Sequence, residues 1–317
     1  MQFRTQIPIS ASEFPIDYSS RMVSLGSCFA ENMGEKFDYF KFQNLVNPFG
    51  IIFNPVSLEI LVKRIVEKRY YSENDIFYHN ERWNCYEVHS EVSRLDKTDF
   101  LNTLNQALEN SHAWIGNATH LVITLGTSWV YRNVESNEIV ANCHKVPQKE
   151  FVKELLSVNQ ISESLQNIIT FVHSVNPDCK FIFTVSPVRH IKDGFAENNL
   201  SKAHLISAIH TMINNQSSIN YFPSYEIMMD ELRDYRFYAE DMLHPNKIAI
   251  DYIWERFYEF GIASDCFALM KEVEAIQKSL EHRPFNSQSE EFQKFSEVLS
   301  SKIERLTEKL PHITFTK

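Results

Sequence analysis

The chain has 317 residues, enough for one large domain, and 44% of them are apolar, which supplies a packed core. Its net charge of −10, from 41 acidic and 31 basic side chains, argues against nucleic acid or an anionic membrane as the main partner. Only 7 glycines are present, and neither the dinucleotide-binding fingerprint nor the Walker phosphate loop occurs, so we expect no cofactor.

The 5 cysteines are scattered and form no CxxC pair, which argues against a disulfide framework and against a metal site. The N-terminus carries no apolar leader, and no apolar run approaches the length of a membrane span. We therefore expect a protein of the reducing cytoplasm.

Short apolar runs alternate with amphipathic stretches along most of the chain. The predicted strands are 22–25, 45–46, 120–125, 180–185 and 219–222. The predicted helices are 29–39, 56–68, 98–116, 162–176 and 201–214. Strands that alternate with helices in this way predict an α/β fold whose parallel sheet is covered on both faces.

Two segments interrupt the alternation, and the C-terminal part has a different character. Residues 70–93 are interpreted as an insertion with a hairpin, and residues 130–151 as a second insertion. After Ala263, residues 268–280 and 290–306 predict two amphipathic helices joined at Pro284-Phe-Asn-Ser. We therefore predict a domain of residues 1–263 and a helical hairpin extension of residues 264–317. The hairpin packs on the domain or forms a homo-oligomer through its helices.

The first predicted strand turns into a helix at Gly26-Ser27-Cys28, with a hydroxyl and a thiol at the turn. A helix N-terminus has unpaired N–H groups that lower the pKa of a cysteine and stabilise an oxyanion. We favour Cys28 as a nucleophile, and Ser27 stays an alternative because both groups occupy the turn. Burial of Cys28 in the core is the structural alternative.

Asp241 and His244 stand three residues apart in a downstream segment that ends at Pro245. A carboxylate at this spacing can fix the imidazole tautomer while the other ring nitrogen faces a nucleophile. The structural alternative is an Asp that caps a helix, next to a surface His.

The carboxyl ends of parallel strands meet at one edge of a sheet, where ligands of such folds bind. Every candidate polar cluster of this chain falls there: 27–28, 47–50, 126–128, 186–190 and the loop with Asp241 and His244. Arg189 at this edge suits a carboxylate or phosphate of a substrate, or else an ion pair with Asp193 or Glu197.

The stretch Gly26-Ser-Cys-Phe-Ala30 resembles the motif after which the GSCFA family is named. Other stretches resemble that family as well, namely 47–50, 142–145, 184–189, 201–202 and 234–245. The resemblance runs from about Gln2 to about Ile262 and leaves out the C-terminal hairpin. The GSCFA family is similar to the SGNH (GDSL-like) hydrolases, which implies a three-layer α/β/α, flavodoxin-like fold and Ser–His–Asp chemistry on esters.

The resemblance also implies roles for single residues. Cys28 takes the place of the nucleophile two residues after a glycine, and Asp241 and His244 match the Asp-x-x-His block. Gly50 is the implied oxyanion donor, and Ser128 stands where those hydrolases have a donor asparagine.

Asn142-Cys143-His144-Lys145 offers a replacement for that missing donor, in Asn142 or His144, or a site for an anionic acyl or carrier group. A plain structural role is equally open. Together with Asn47 and Arg189, Asn142 and His144 are the candidate substrate-binding residues.

Three functions follow as hypotheses. The first is an SGNH-like hydrolase or acyltransferase acting on a small-molecule O-acyl ester, such as that of a carbohydrate. The second is a binding protein that keeps the cleft without catalysis, because Ser128 replaces the asparagine. The third is a scaffold that assembles through the C-terminal hairpin.

Overall fold

The computed structural model describes residues 5–213, 218–282, 285–286 and 288–315. A five-stranded parallel sheet forms its centre, in the order β2-β1-β5-β9-β10. These strands are β1 (Arg21–Gly26), β2 (Gln43–Val46), β5 (His120–Leu125), β9 (Lys180–Val185) and β10 (Ile219–Phe222). Renumbered within the sheet the order is 2-1-3-4-5, which is the flavodoxin-like order and confirms the predicted fold class.

Helices cover both faces of the sheet and make it the middle of three layers. They are α1 (Cys28–Tyr39), α2 (Pro55–Val66), α3 (Lys97–Ile115), α4 (Val158–Val175), α5 (Phe195–Ile213), α6 (Ser224–Glu226), α7 (Lys247–Gly261), α8 (Phe267–Glu281) and α9 (Glu290–Lys309). Alternate strand residues point to opposite faces, so Leu121 and Ile123 pack under α2 to α5, whereas Val122 packs under α1 and α7.

Both predicted insertions are present as small antiparallel sheets. The first contains the hairpin of β3 (Phe77–His79) and β4 (Arg82–Asn84). The second forms a three-stranded sheet from β6 (Trp129–Asn133), β7 (Ile139–Val140) and β8 (Phe151–Leu155), in the order β7-β6-β8. The two insertions touch, because the Ala141 N–H donates to the Tyr86 carbonyl.

Two helices differ from the sequence prediction. The predicted helix 201–214 is longer at its start, since α5 begins at Phe195; its predicted last residue, Asn214, lies outside the described residues. Helix α7 was not predicted, although Ala249, Ile253 and Phe257 recur at helical spacing and are all buried.

The C-terminal helices α8 and α9 pack on the face of the domain that α1 and α7 cover. Met270, Val273 and Ile276 of α8 join the apolar cluster that contains Phe37 and Phe257. The predicted joint at 284–287 falls partly on residues 284 and 287, which are outside the described part of the chain. Across the described residues, no helix combines the length and apolar character that a bilayer crossing demands.

Candidate active site

The turn between β1 and α1 is built into the sheet and leaves little freedom to its residues. Gly26 adopts φ of +141°, and a Cβ at this position would lie 2.1 Å from the Thr124 carbonyl oxygen of neighbouring β5. The Ser27 N–H donates to that same oxygen at 3.0 Å. A close backbone approach therefore requires glycine here and fixes the start of α1.

Ser27 and Cys28 have different environments in this turn. The Ser27 hydroxyl is buried and caps α1 by accepting the Phe29 N–H at 3.2 Å. Cys28 is the first residue of α1 and is half-buried, with a free thiol. The serine thus completes the helix, whereas the thiol is the group at the turn that solvent can reach.

The expectation of a lowered thiol pKa at the helix start is wrong. Burial raises the pKa of Cys28, and the negative charge of Glu31 one turn along α1 acts in the same direction. The N–H groups at the start of α1 and the charge of Lys202 lower the pKa of the thiol, but they do not outweigh burial. Cys28 is therefore a thiol rather than a thiolate at neutral pH.

Asp241 and His244 form the close pair that their spacing predicts. The imidazole Nδ1 lies 2.5 Å from the Asp241 carboxylate Oδ2, while Oδ1 accepts the backbone N–H groups of Leu243 and His244. These contacts lower the pKa of Asp241 to about 2, and the backbone N–H groups of His244 and Leu243 contribute most to this shift. The carboxylate is ionised and orients the ring, and both side chains are close to half exposed.

Arg189 holds the Asp241–His244 loop at the edge of the sheet. Its N–H donates to the Leu243 carbonyl at 3.2 Å, and its guanidinium lies 4.2 Å from the ring centre of Tyr238. The alternative pairing with Asp193 does not occur, because Asp193 pairs with Lys153. These contacts assign Arg189 a positioning role in the loop.

A fully buried lysine, Lys202 of α5, lies at the same edge. Its ammonium donates to the carbonyl oxygens of Gly126 and Ser186, both at 2.7 Å, just beyond the ends of β5 and β9. Burial lowers the pKa of Lys202 to about 7, and Cys28 acts in the opposite direction. The charge of Lys202 therefore acts on Cys28 from the ends of the neighbouring strands.

His190 is a further imidazole at this edge of the sheet. Its ring stacks on Phe53 at 5.3 Å, and burial lowers the pKa of His190 to about 3, with the charges of Lys202 and His244 acting in the same direction. His190 is therefore neutral and lies within electrostatic range of Lys202 and His244. Among the described residues, no hydrogen bond joins His244 to Cys28 or Ser27, so proton transfer requires the ring to come closer to the thiol.

The two predicted oxyanion donors are already paired. The Gly50 N–H donates to the Asn47 carbonyl at 2.8 Å, in a tight turn where Gly50 has φ of +74°. The fully buried Ser128 hydroxyl donates to the carbonyl oxygen of Ser201 at 3.1 Å. The Cys28 N–H, at the first position of α1, belongs to the N–H groups that a helix leaves without an intrahelical partner.

Asn47 braces the turn between β1 and α1. Its side-chain oxygen accepts the Gly26 N–H at 2.9 Å, and its amide donates to Glu31 at 3.3 Å. Asn47 itself adopts φ of 38°, a conformation that asparagine tolerates better than most residues. This predicted substrate-binding residue therefore has a structural task at the same edge.

Asn142 and His144 join the two insertions to each other. His144 is buried, and its ring Nε2 lies 2.7 Å from the Cys85 carbonyl oxygen. The backbone N–H of His144 donates to the side-chain oxygen of Asn142. Burial lowers the pKa of His144, so this imidazole is neutral. These contacts are what a plain structural role of residues 142–145 would require.

In the described part of the chain, no three His, Cys, Asp or Glu side chains group as metal ligands would.

Glu31, His190 and Lys202 belong to this edge of the sheet but were not predicted as site residues. One signal for Lys202 exists in the sequence: it precedes Leu205 and Ile209 at helical spacing, so a lysine occupies the buried stripe of α5. The sequence carries signals for the other two as well, since Glu31 lies one helical turn from Cys28 in the predicted helix 29–39 and His190 belongs to the cluster 186–190 at the predicted sheet edge.

These features define a flavodoxin-like α/β/α protein with a half-buried thiol after β1 and an Asp–His pair on the same edge. The chain belongs to the GSCFA family, whose sequence model matches residues 21–257. A second model, for the GSCFA domain protein C-terminal domain, matches residues 273–317. The family resemblance therefore extends to the C-terminal hairpin, which corrects the expectation that the hairpin lies outside it.

Among solved structures, the fold is similar to an acetyl xylan esterase (Est2A) from the rumen bacterium Butyrivibrio proteoclasticus. The identity is 10% and the TM-score 0.40, over 77% of this chain and 66% of the esterase. This chain thus matches just under two thirds of the esterase's length. A search of curated proteins found no match.

Proposed function

We propose that this protein is an ester hydrolase or acyltransferase that uses Cys28 as nucleophile, His244 as general base and Asp241 to orient the imidazole. The contact between His244 Nδ1 and the Asp241 carboxylate, at 2.5 Å, carries the proposal. It leaves Nε2 of a correctly oriented ring as a proton acceptor, on the sheet edge where α1 begins with a thiol.

In the proposed reaction, the Cys28 sulfur forms a bond to the carbonyl carbon of an O-acyl ester while His244 accepts the thiol proton. The ester C–O bond then breaks, and His244 gives the proton to the departing oxygen. Water or an acceptor alcohol attacks the thioester, the S–C bond breaks, and the proton returns to sulfur through His244. The raised pKa of Cys28 makes the base necessary, since the thiol does not ionise by itself at neutral pH.

We assign the substrate only as an O-acyl ester, with an acylated carbohydrate as one candidate. We further propose a boundary near Ala263 between the domain of residues 1–263 and the extension of residues 264–317. Five free cysteines support a reducing, cytoplasmic location.

The test is acyl trapping with p-nitrophenyl acetate, followed by intact and peptide mass spectrometry. We expect release of p-nitrophenol and an acetyl group on Cys28, and neither in Cys28→Ala. Cys143→Ala is the matched control, because Cys143 is also a half-buried free thiol with a raised pKa. Equal turnover in Cys28→Ala and Cys143→Ala would contradict the proposal.

A second candidate, a binding protein without catalysis, is favoured by one observation. The Gly50 N–H and the Ser128 hydroxyl already have partners within the protein, so two expected oxyanion donors are engaged. This candidate predicts no acetyl group on Cys28 and no release of p-nitrophenol above the rate of Cys28→Ala.

A further inference from the structure

Lys202 is an ammonium group buried at the edge of the sheet without an obvious structural need. The residue is 1% exposed, and its hydrogen bonds go to the carbonyl oxygens of Gly126 and Ser186 rather than to a carboxylate. A buried charge without a counter-ion is costly, and an apolar side chain would fill the same space without that cost. A function at this position offsets the cost.

The register of the sheet places the anchor of Lys202 beside the turn that carries Cys28. Gly26 of β1 is paired with Thr124 of β5, and the Ser27 N–H donates to the Thr124 carbonyl. Two residues further along each chain are Cys28 and Gly126, and Gly126 is the residue whose carbonyl holds the lysine. The Lys202 ammonium is thus bound at the end of β5, the strand next to β1, after which Cys28 follows.

The two neighbours of Cys28 carry opposite charges. Glu31 opposes ionisation of the thiol from within α1, whereas Lys202 favours it from α5 on the other face of the sheet. The ring of Tyr225, whose centre lies 5.5 Å from the Lys202 nitrogen, also contacts the ammonium.

We propose that Lys202 is a positioning residue of this site, whose positive charge stabilises the Cys28 thiolate when sulfur becomes a nucleophile or a leaving group. The inference deepens the proposed function, since it concerns the same nucleophile. It also gives the buried charge a role that an apolar residue in α5 could not fill.

The charge of Lys202 is itself pH-dependent, so its effect on Cys28 can be distinguished from a purely structural effect. Because its pKa is about 7, the group is an ammonium below neutral pH and an amine above it. Stabilisation of the thiolate is therefore present at and below pH 7 and fades as the pH rises. A residue that only packed or held strands together would affect Cys28 equally at every pH.

The experiment measures the rate at which iodoacetamide labels Cys28, by peptide mass spectrometry, from mildly acidic to alkaline pH. We expect Lys202→Met to slow labelling by up to about twofold below neutral pH, since the Lys202 charge acts on the thiol less strongly than Glu31 one helical turn away. At alkaline pH the two rates should converge. A ratio that is the same at every pH, or no change, would overturn the inference.

Ser201→Ala is the matched control, because Ser201 ties the same helix to the same edge through Thr127 and Ser128 but carries no charge. It should leave the pH dependence of labelling unchanged. Lys202→Gln guards against misfolding, since an amide can still donate to the strand-end carbonyls. If neither Lys202 variant folds, the pH dependence of Cys28 labelling in His244→Ala decides. With the imidazole removed, loss of the Lys202 charge should produce a shoulder in the labelling rate near pH 7. A rate that rises steadily with pH would refute the inference.

The labelling experiment needs no turnover, so it is separate from the test of the proposed function. Absence of an acyl-enzyme with p-nitrophenyl acetate would contradict the ester chemistry and leave the coupling of Lys202 to Cys28 intact. Unchanged labelling in Lys202→Met and Lys202→Gln would refute the coupling and leave the ester chemistry intact.

Discussion

The turn after β1 and the loop that carries Asp241 and His244 hold the two halves of the candidate site in different ways. The turn is part of the sheet: Gly26 lies against the Thr124 backbone, and the Ser27 hydroxyl is buried. The loop is exposed, and its own Asp241 carboxylate accepts two of its backbone N–H groups. The protein thus fixes the thiol through long-range contacts and the imidazole mainly through local ones.

The connection of the loop to the rest of the molecule is narrow. Arg189 contacts it through one backbone hydrogen bond and the ring of Tyr238, and Tyr238 pairs with Pro245 across a short bridge. A loop held in this way can move without unfolding the sheet. The difference between the two regions therefore predicts that variants of the loop change activity without a loss of stability, whereas changes at the buried Gly26 and Ser27 of the turn lower stability.

The largest expected effect belongs to His244→Ala. Loss of the general base should lower the rate of p-nitrophenyl acetate hydrolysis by about 10²–10⁴-fold, because the Cys28 thiol then has no positioned proton acceptor. The thermal unfolding midpoint should stay close to that of the wild type, since His244 is exposed. Glu240→Gln, an exposed neighbour in the same loop, is the control for both measurements. Wild-type turnover in His244→Ala would remove the imidazole from the mechanism.

The counterpart in the turn is Gly26→Ala, with an expected loss of about 3 kcal/mol in the free energy of unfolding. A methyl group would lie 2.1 Å from the Thr124 oxygen, at a backbone φ of +141° that alanine rarely adopts. Urea denaturation measures the loss. Gly116→Ala is the matched control, because its Cβ would meet nothing closer than 3.4 Å. Equal stability of the two variants would show that the turn is not under the proposed constraint.

The sequence predicts the central sheet well because hydrophobic periodicity reports local structure. The runs at 120–125 and 180–185 coincide with β5 and β9, and the parallel arrangement of the strands follows from their alternation with helices. The boundaries of helices are predicted less well. Helix α4 begins at Val158 rather than at 162, because a capping box of Ser157 and Gln160 adds a turn that the apolar pattern does not show.

The site is predicted only in part, because burial is a property of the whole fold. The spacing of Asp241 and His244 suffices to predict their contact, and the glycine before Ser27 suffices to predict a sharp turn. The direction of the Cys28 pKa shift depends on how deeply the turn is buried and on the charges of Glu31 and Lys202. Spacing along the chain does not contain that information, and the helix-start expectation therefore gives the wrong sign.

A smaller effect distinguishes the two groups at the turn. Ser27→Ala should cost about 1 kcal/mol of stability through the lost cap of α1 and leave ester hydrolysis within about twofold of the wild type. Ser157→Ala, which removes the cap of α4, should show a similar cost in the same urea titration. If Ser27→Ala instead abolished hydrolysis while Cys28→Ala did not, the hydroxyl rather than the thiol would be the nucleophile.

The smallest of the effects expected in these two regions, that of Glu31→Gln, tests the electrostatic side of the same turn. Removal of the negative charge one helical turn from Cys28 should lower the thiol pKa and speed iodoacetamide labelling about twofold, as expected for ~0.4 kcal/mol between like charges at this spacing. Burial raises the pKa of Glu31, and a carboxylate loses no charge as the pH rises, so the acceleration should not fade from pH 7 to 9, unlike the effect of Lys202. Glu35→Gln, an exposed change one turn further along α1, should leave labelling unchanged. Slower labelling in Glu31→Gln would mean that Glu31 supports ionisation of the thiol, and the charge arrangement inferred around Cys28 would then have the opposite sign.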